Sequence, residues 1–199
     1  MSASERITGL YEDNAEAWDR SRGRDLREKP WLDRFLARVR SGGAILDIGC
    51  GMGEPVAGYI IGRGYDVTGT DSSPSLIAMA RDRFPAHQWI ARDMRLLDLS
   101  RRFDGVLAWH SLFHLSPDDQ RPMFARFAAH LKPGAPLLFT SGPEHGEAIG
   151  AWMGEPLYHG SLAPEEYRGL LKANGFGKVV HKARDPDCGE ATAWLAVRA

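Results

Sequence analysis

From Ala44 onward, apolar and polar positions alternate in two rhythms. Short runs of strand length recur at AILDI (44–48), YDVTGTD (65–71), QWIARD (88–93), FDGVLAWH (103–110) and APLLFTSG (135–142). Helical segments separate them. PVAGYIIGR (55–63) follows the first strand, and PSLIAMARDRF (74–84) sets Leu76, Ile77 and Ala80 on one face. After the fourth strand, Ser116 is an N-cap candidate, with proline at the first helical position and acids in the first turn. The apolar stripe of that helix is Met123, Phe124, Phe127 and Leu131, and Lys132-Pro133-Gly134 ends it. PEEYRGLLKANG (164–175) is a helix stopping at Asn174-Gly175, and FGKVVHKA (176–183) and ATAWLAVR (191–198) are the final strands.

Strands alternating with helices predict an α/β fold: a doubly wound, mostly parallel sheet with right-handed crossovers. The polar turn around Asp185-Pro186-Asp187 is too short for a crossover, so the last strand should run antiparallel. In such sheets ligands bind beyond the carboxyl ends of the strands, at the point where strand order reverses.

A chain of 199 residues with 43% hydrophobic content can bury one substantial core, and a single domain over 1–199 is expected. Lys plus Arg number 25 against 26 Asp plus Glu, which speaks against a broad nucleic-acid footprint. The arginines of residues 20–40 are interleaved with Asp19, Asp25, Glu28 and Asp33, the pattern of a solvated helix face. Two cysteines suit a reducing compartment rather than a disulfide scaffold. With no long apolar run and no signal-like N-terminus, the expectation is a cytoplasmic protein without membrane contact, monomeric or homodimeric.

The chemistry concentrates at AILDIGCGMGEP (44–55). A dinucleotide fingerprint is Gly-x-Gly-x-x-Gly, but here the third glycine comes one position early, at Gly53, and Glu54 stands where glycine is wanted. With Glu54 in the first helical turn and Asp47 behind, a diphosphate would be repelled and a positively charged ligand would not. Asp71 ends the second strand and can accept from both ribose hydroxyls of an adenosyl ligand. Asp93 ends the third, where a carboxylate can take an adenine amino group while Met94 packs on the ring. Three acids at three successive strand ends form a nucleoside site.

ILDIGCGMGEP, VTGTDSS, ARDM, FDGVLAWHSLFHL and LKPGAPLLFTSG resemble the successive motifs of the class I S-adenosylmethionine-dependent methyltransferases, over residues 40 to 142. The resemblance implies a seven-stranded, Rossmann-like sheet with S-adenosyl-L-methionine as cofactor. It places the cofactor's amino-acid end at Asp47, Gly49, Gly51 and Gly53, its ribose at Asp71 with Ser72, and its adenine at Asp93 and Met94, with Trp109 in the same set. Residues 1–40 resemble the family's N-terminal helical lid, with Tyr11 and Trp18 over the cofactor.

The Asx-Pro-Pro-aromatic run of amino-directed DNA methyltransferases is missing after the fourth strand, where AWHSLFHL stands, so the acceptor is expected to be a small molecule and not nucleic acid. No Gly-x-Ser-x-Gly elbow is present for a serine hydrolase. His110 and His114 have i, i+4 spacing, but no nearby acid or cysteine completes a metal set, and no metal is expected. The segment 143–162 is long for a connection and is expected to be a loop capping the acceptor, which Trp152, Met153 and Tyr158 would wall. Shortening it should then spoil turnover and spare cofactor affinity.

Displacement at a sulfonium needs the acceptor held in line and its proton removed. His145 and His159 are the first candidates for that base, with Tyr158 and His114 orienting or sharing the proton. Two other classes compete: a dinucleotide dehydrogenase, opposed by the glycine spacing and Glu54, and a non-catalytic adenosylmethionine-binding regulator or accessory subunit. Stabilisation by NAD would mark the first, and binding without turnover the second.

Overall fold

A computed structural model describes residues 2–199. Nine strands are assigned: β1 Ala44–Ile48, β2 Asp66–Asp71, β3 Gln88–Ala91, β4 Gly105–Ala108, β5 Pro136–Ser141, β6 Gly146–Trp152, β7 Glu155–Ser161, β8 Phe176–Asp185 and β9 Ala191–Arg198. The α-helices are α1 Ala3–Asp13, α2 Ala15–Ser21, α3 Lys29–Leu36, α4 Val56–Gly62, α5 Pro74–Arg83, α6 Pro117–Ala129 and α7 Pro164–Ala173.

Seven strands form one sheet in the order β3-β2-β1-β4-β5-β9-β8. β1 to β5 pair in parallel, and β9 runs antiparallel between β5 and β8, as the short 185–187 turn requires. Strand order reverses between β1 and β4, so the switch-point crevice opens beyond their carboxyl ends. Successive side chains of these central strands go to opposite faces. Leu46, Ile48 and Val106 join Phe124, Phe127 and Tyr167 on one face, and Ile45, Val67 and Leu107 join Trp31, Phe35 and Ile77 on the other. Both faces are covered by helices, and the strands therefore read as continuous apolar runs.

Two features of the chain differ from the sequence reading. The segment 143–162 is not a loop: β6 and β7 form a two-stranded antiparallel hairpin apart from the main sheet, with Ala148 opposite His159 and Ile149 opposite Tyr158. Its four glycines, at 146, 150, 154 and 160, masked the strand pattern. The charges of residues 20–40 are largely paired rather than simply solvated, as in Arg22–Glu28 at 2.6 Å with Glu28 buried. No described helix is long and apolar enough to cross a membrane.

Candidate active site

The glycine loop leaves β1 through Gly49 and Gly51, both with positive φ. A Cβ on Gly49 would stand 2.2 Å from the Ser111 Cβ, so no other residue fits there. The loop is tied to β2, because the N–H groups of Gly49 and Cys50 both donate to the Thr70 carbonyl, at 2.7 and 3.0 Å. Asp71 continues the tie, accepting from Gly51 N at 2.9 Å and Ser73 N at 3.0 Å. Burial raises the Asp71 pKa, partly offset by these N–H groups.

A narrow cleft of about 100 Å³ lies over this loop. It brings together Tyr11, Trp18, Gly49, Gly51, Asp71, Ser72, Asp93, Met94 and His114. Asp47, Gly53 and Trp109 do not line it. Asp47 is buried beneath the loop, where burial and the neighbouring Asp71 charge push its pKa up to about 7. Gly53 packs under Phe84, and Trp109 lines a separate pocket with Arg22 and Glu28. Glu54 turns from the loop to Arg24, at 2.7 Å, so an arginine answers its charge.

Asp93 is likewise engaged. Burial opposes its ionisation, but the Arg95 guanidinium at 2.6 Å and the Arg95 N–H at 2.8 Å outweigh it and hold the pKa below the ordinary carboxylate value. Arg95 lines the cleft and went unrecognised in the sequence, where an arginine after a strand carries no distinguishing pattern.

The N-terminal helices close the cleft. The Glu12 carboxylate accepts from Ser75 Oγ at 2.7 Å and Ser75 N at 3.1 Å, latching α1 to the start of α5. Asp19 on α2 bridges Arg24 and Arg83. Tyr11 and Trp18 meet edge to face, with ring centroids 5.3 Å apart.

Both ring nitrogens of His114 are occupied. Nδ1 lies 3.0 Å from the Tyr158 carbonyl, which can only accept, so Nδ1 carries the proton and Nε2 accepts from the Tyr11 hydroxyl at 3.1 Å. Burial pushes the His114 pKa down to about 4, and burial with the Asp71 charge pushes Tyr11 up to about 12. His114 is a neutral ring clamped between lid and hairpin.

A second, wider cavity of about 530 Å³ adjoins the cleft. His110 borders both, lying between them just past β4. Its φ of +52° is unusual for a bulky residue, and its N–H donates to Thr140 Oγ1 at 2.8 Å. Water reaches the ring through the cavities, yet protein atoms surround it closely enough that burial pushes its pKa down to about 4.

His145 and His159 both line this second cavity, His145 exposed at the rim and His159 half-buried against Phe113 and His114. Tyr158 is on neither wall. Alternation along β7 sends it to the face opposite His159, where it packs with Ile7 and Leu10. Trp152 and Met153 do not wall the acceptor space either. Trp152 stacks on Tyr11 at 5.5 Å and meets Trp18 edge-on, while Met153 is exposed in the hairpin turn. Among the described residues, no three His, Cys, Asp or Glu side chains gather as a metal site would require.

A family model described as a methyltransferase domain matches residues 45–134. The carboxy-S-adenosyl-L-methionine synthase of Chromohalobacter salexigens is 28% identical over 71% of this chain and 52% of its own length. An O-methyltransferase of Pyrenophora dematioidea is 28% identical over 70% of this chain and 56% of its own. The chain spans about half the length of these curated relatives. Among solved structures, the magnesium protoporphyrin IX methyltransferase of Synechocystis PCC 6803 with bound S-adenosylmethionine covers 100% of this chain and 98% of its own, with a TM-score of 0.76 and 15% identity. The sugar N-methyltransferase KedS8 from Streptoalloteichus covers 92% of each chain, with a TM-score of 0.73 and 21% identity. Over residues 45–134 the chain is similar to methyltransferase domains, and these solved structures share its fold.

Proposed function

We propose that this chain transfers a methyl group from S-adenosylmethionine to a nitrogen or oxygen of a small-molecule acceptor. The observation that carries this reading is the junction of the two spaces: the cleft over the glycine loop meets a second cavity at His110. The residues present suit the cofactor. Gly49 leaves no room for a side chain, Asp71 and Asp93 offer carboxylate oxygens at two strand ends, and Met94 offers a soft apolar surface beside them.

When bound, the cofactor supplies a methyl group on a positively charged sulfur, and its departure leaves a neutral thioether. The protein's part is to orient, to exclude water and to receive a proton. The nucleoside is assigned to Asp71, Ser72, Asp93 and Met94. Tyr11 and Trp18 form a lid, since a cleft of about 100 Å³ is narrower than the roughly 300–1,000 Å³ of ligand pockets and α1–α2 must lift to admit the cofactor. The hairpin 146–161 is assigned as the cap of the acceptor space.

Within that space His159 is the proton acceptor: it lines the cavity, and burial lowers its pKa below the ordinary value, so the ring is neutral at pH 7. His110, more strongly depressed, offers a lone pair that orients the acceptor at the junction. Clamped His114 holds Tyr11 and the hairpin in register and is not the base.

S-adenosylmethionine and its demethylated product should both raise the melting temperature by binding the folded state. Asp71→Ala should weaken binding of both by on the order of 1–3 kcal/mol, read by calorimetric titration. Unchanged affinity in the variant, or equal stabilisation of the parent by NAD, would refute the assignment. Incubating labelled cofactor with an acceptor panel separates an enzyme from a binding regulator.

A further inference from the structure

Just past β4, apolar side chains divide between core and cavity. Leu112 and Leu115 are buried in the core, but Phe113 between them joins no buried cluster among the described residues. Its half-buried ring borders the second cavity instead. There it lies 5.1 Å from His159 and 5.8 Å from His110, centroid to centroid. All three rings line that cavity, and His110 carries the same wall on to the cofactor cleft. Phe113 comes from the helical turn Leu112–His114 and His159 from β7, so the wall is made where hairpin meets sheet. Burial lowers the pKa values of both histidines, which leaves the wall uncharged at pH 7.

We infer that the acceptor presents a planar aromatic ring to this wall and is methylated on a hydroxyl borne by that ring. The inference rests on the methyltransferase reading and deepens it. Aromatic rings attract one another beyond what their buried area contributes, and a saturated ring gains nothing of that kind. Among the described residues, no lysine or arginine lines the cavity to hold a carboxylate acceptor. The proton narrows the choice among hydroxyls. A neutral histidine below its ordinary pKa is a weak base, and a phenolic hydroxyl, at about 10 as in tyrosine, is far more acidic than an aliphatic one. An aromatic amine already offers its lone pair and would leave His159 no proton to take. In the step itself, the oxygen bonds to the methyl carbon while the carbon–sulfur bond breaks, its electron pair staying on sulfur. The hydroxyl proton passes to a ring nitrogen of His159 and from there to solvent. The products are an aryl methyl ether and a neutral thioether.

The probes are phenol, its saturated counterpart cyclohexanol, and aniline. Each is titrated by ligand-observed NMR into the full chain saturated with the demethylated cofactor product, and each is incubated with labelled S-adenosylmethionine. Phenol should bind about tenfold more tightly than cyclohexanol, the scale of one aromatic pair. Label should appear in anisole, and more slowly if at all in N-methylaniline. Phe113→Leu keeps apolar bulk and removes the ring, so it should erase the preference while S-adenosylmethionine affinity holds, and Phe113→Tyr should keep it. The comparison in the parent decides the matter even where the leucine variant fails to fold. Equal or tighter binding of cyclohexanol, a preference that survives Phe113→Leu, no methylation of phenol, or faster methylation of aniline would overturn the inference. Those outcomes with cofactor binding intact leave the methyltransferase reading standing, whereas failure of the parent to bind S-adenosylmethionine would sink that reading itself.

Discussion

The two halves of this site are built in opposite ways. On the cofactor side, every residue of β1 is buried, the glycine loop is tied to β2 through Thr70 and Asp71, and helices cover both faces of the sheet. On the acceptor side, six of the seven residues of β6 are exposed, and the hairpin's only strand partner is itself. A lone hairpin is marginal in water. This one is held by α1 and α2, through Ile7 and Leu10 on Tyr158, and Tyr11 and Trp18 on Trp152. Rigid geometry is spent at the proposed cofactor cleft, and an adaptable surface is left at the proposed acceptor cavity. The N-terminal helices touch both halves, so the two are separate in construction but share contacts.

The largest effect expected from breaking one half alone is chemical. His159→Ala should lower the maximal rate on the acceptor by ~10²–10⁴-fold while S-adenosylmethionine affinity holds. Because the base must be neutral and its pKa lies below the ordinary histidine value, the parent's rate should already be level at pH 7 and fall only in more acidic solution. The exposed His145→Ala is the control, with a small effect. Full rate in the His159 variant across that pH range would return the proton to another group.

A smaller effect, confined to the sheet side, comes from Asp104. Its buried carboxylate accepts from Arg40, Lys132 and the Ala44 N–H, each at 2.9 Å, tying the start of β1 to the segment before β5. Burial works against its ionisation, but these donors outweigh it and bring the pKa down to about 2. A depressed folded pKa contributes stability above the unfolded carboxylate value, and that contribution is lost as pH falls toward 2. Asp104→Asn should cost about 1.5–3 kcal/mol in urea unfolding at pH 7, and the gap from the parent should narrow on acidification. A constant gap down to pH 2 would show that charge is not what Asp104 contributes.

The smallest effect sharpens the comparison most, because it tests the coupling. Trimming the cap was expected to spare cofactor affinity, yet Trp152 stands on the two lid aromatics. Trp152→Ala removes two aromatic pairs of ~0.5–1.5 kcal/mol each, so S-adenosylmethionine affinity should fall about three- to tenfold although Trp152 does not line the cleft. Cofactor affinity equal to the parent's would uncouple cap from lid.

Strand and helix periodicity, read along the chain, was enough for the sheet, its antiparallel last strand and the cleft beyond the strand ends. Asp71, Asp93 and Met94 were legible there because a residue's place at a strand's carboxyl end follows from local pattern and the topology follows from connection length. What periodicity could not supply was orientation. Asp47 belongs to the same motif as Gly49, but strand alternation puts it beneath the loop, and Gly53 is already past the turn and packed under Phe84. Tyr158 and His159 are neighbours in sequence and face opposite sides of a hairpin whose glycines hid it. His110 borders both spaces, a role that depends on the hairpin and the β9 turn closing around it from segments 34 to 82 residues away. Those approaches are made by packing between distant segments, and no local pattern in a sequence records which side chain such packing will leave facing the gap.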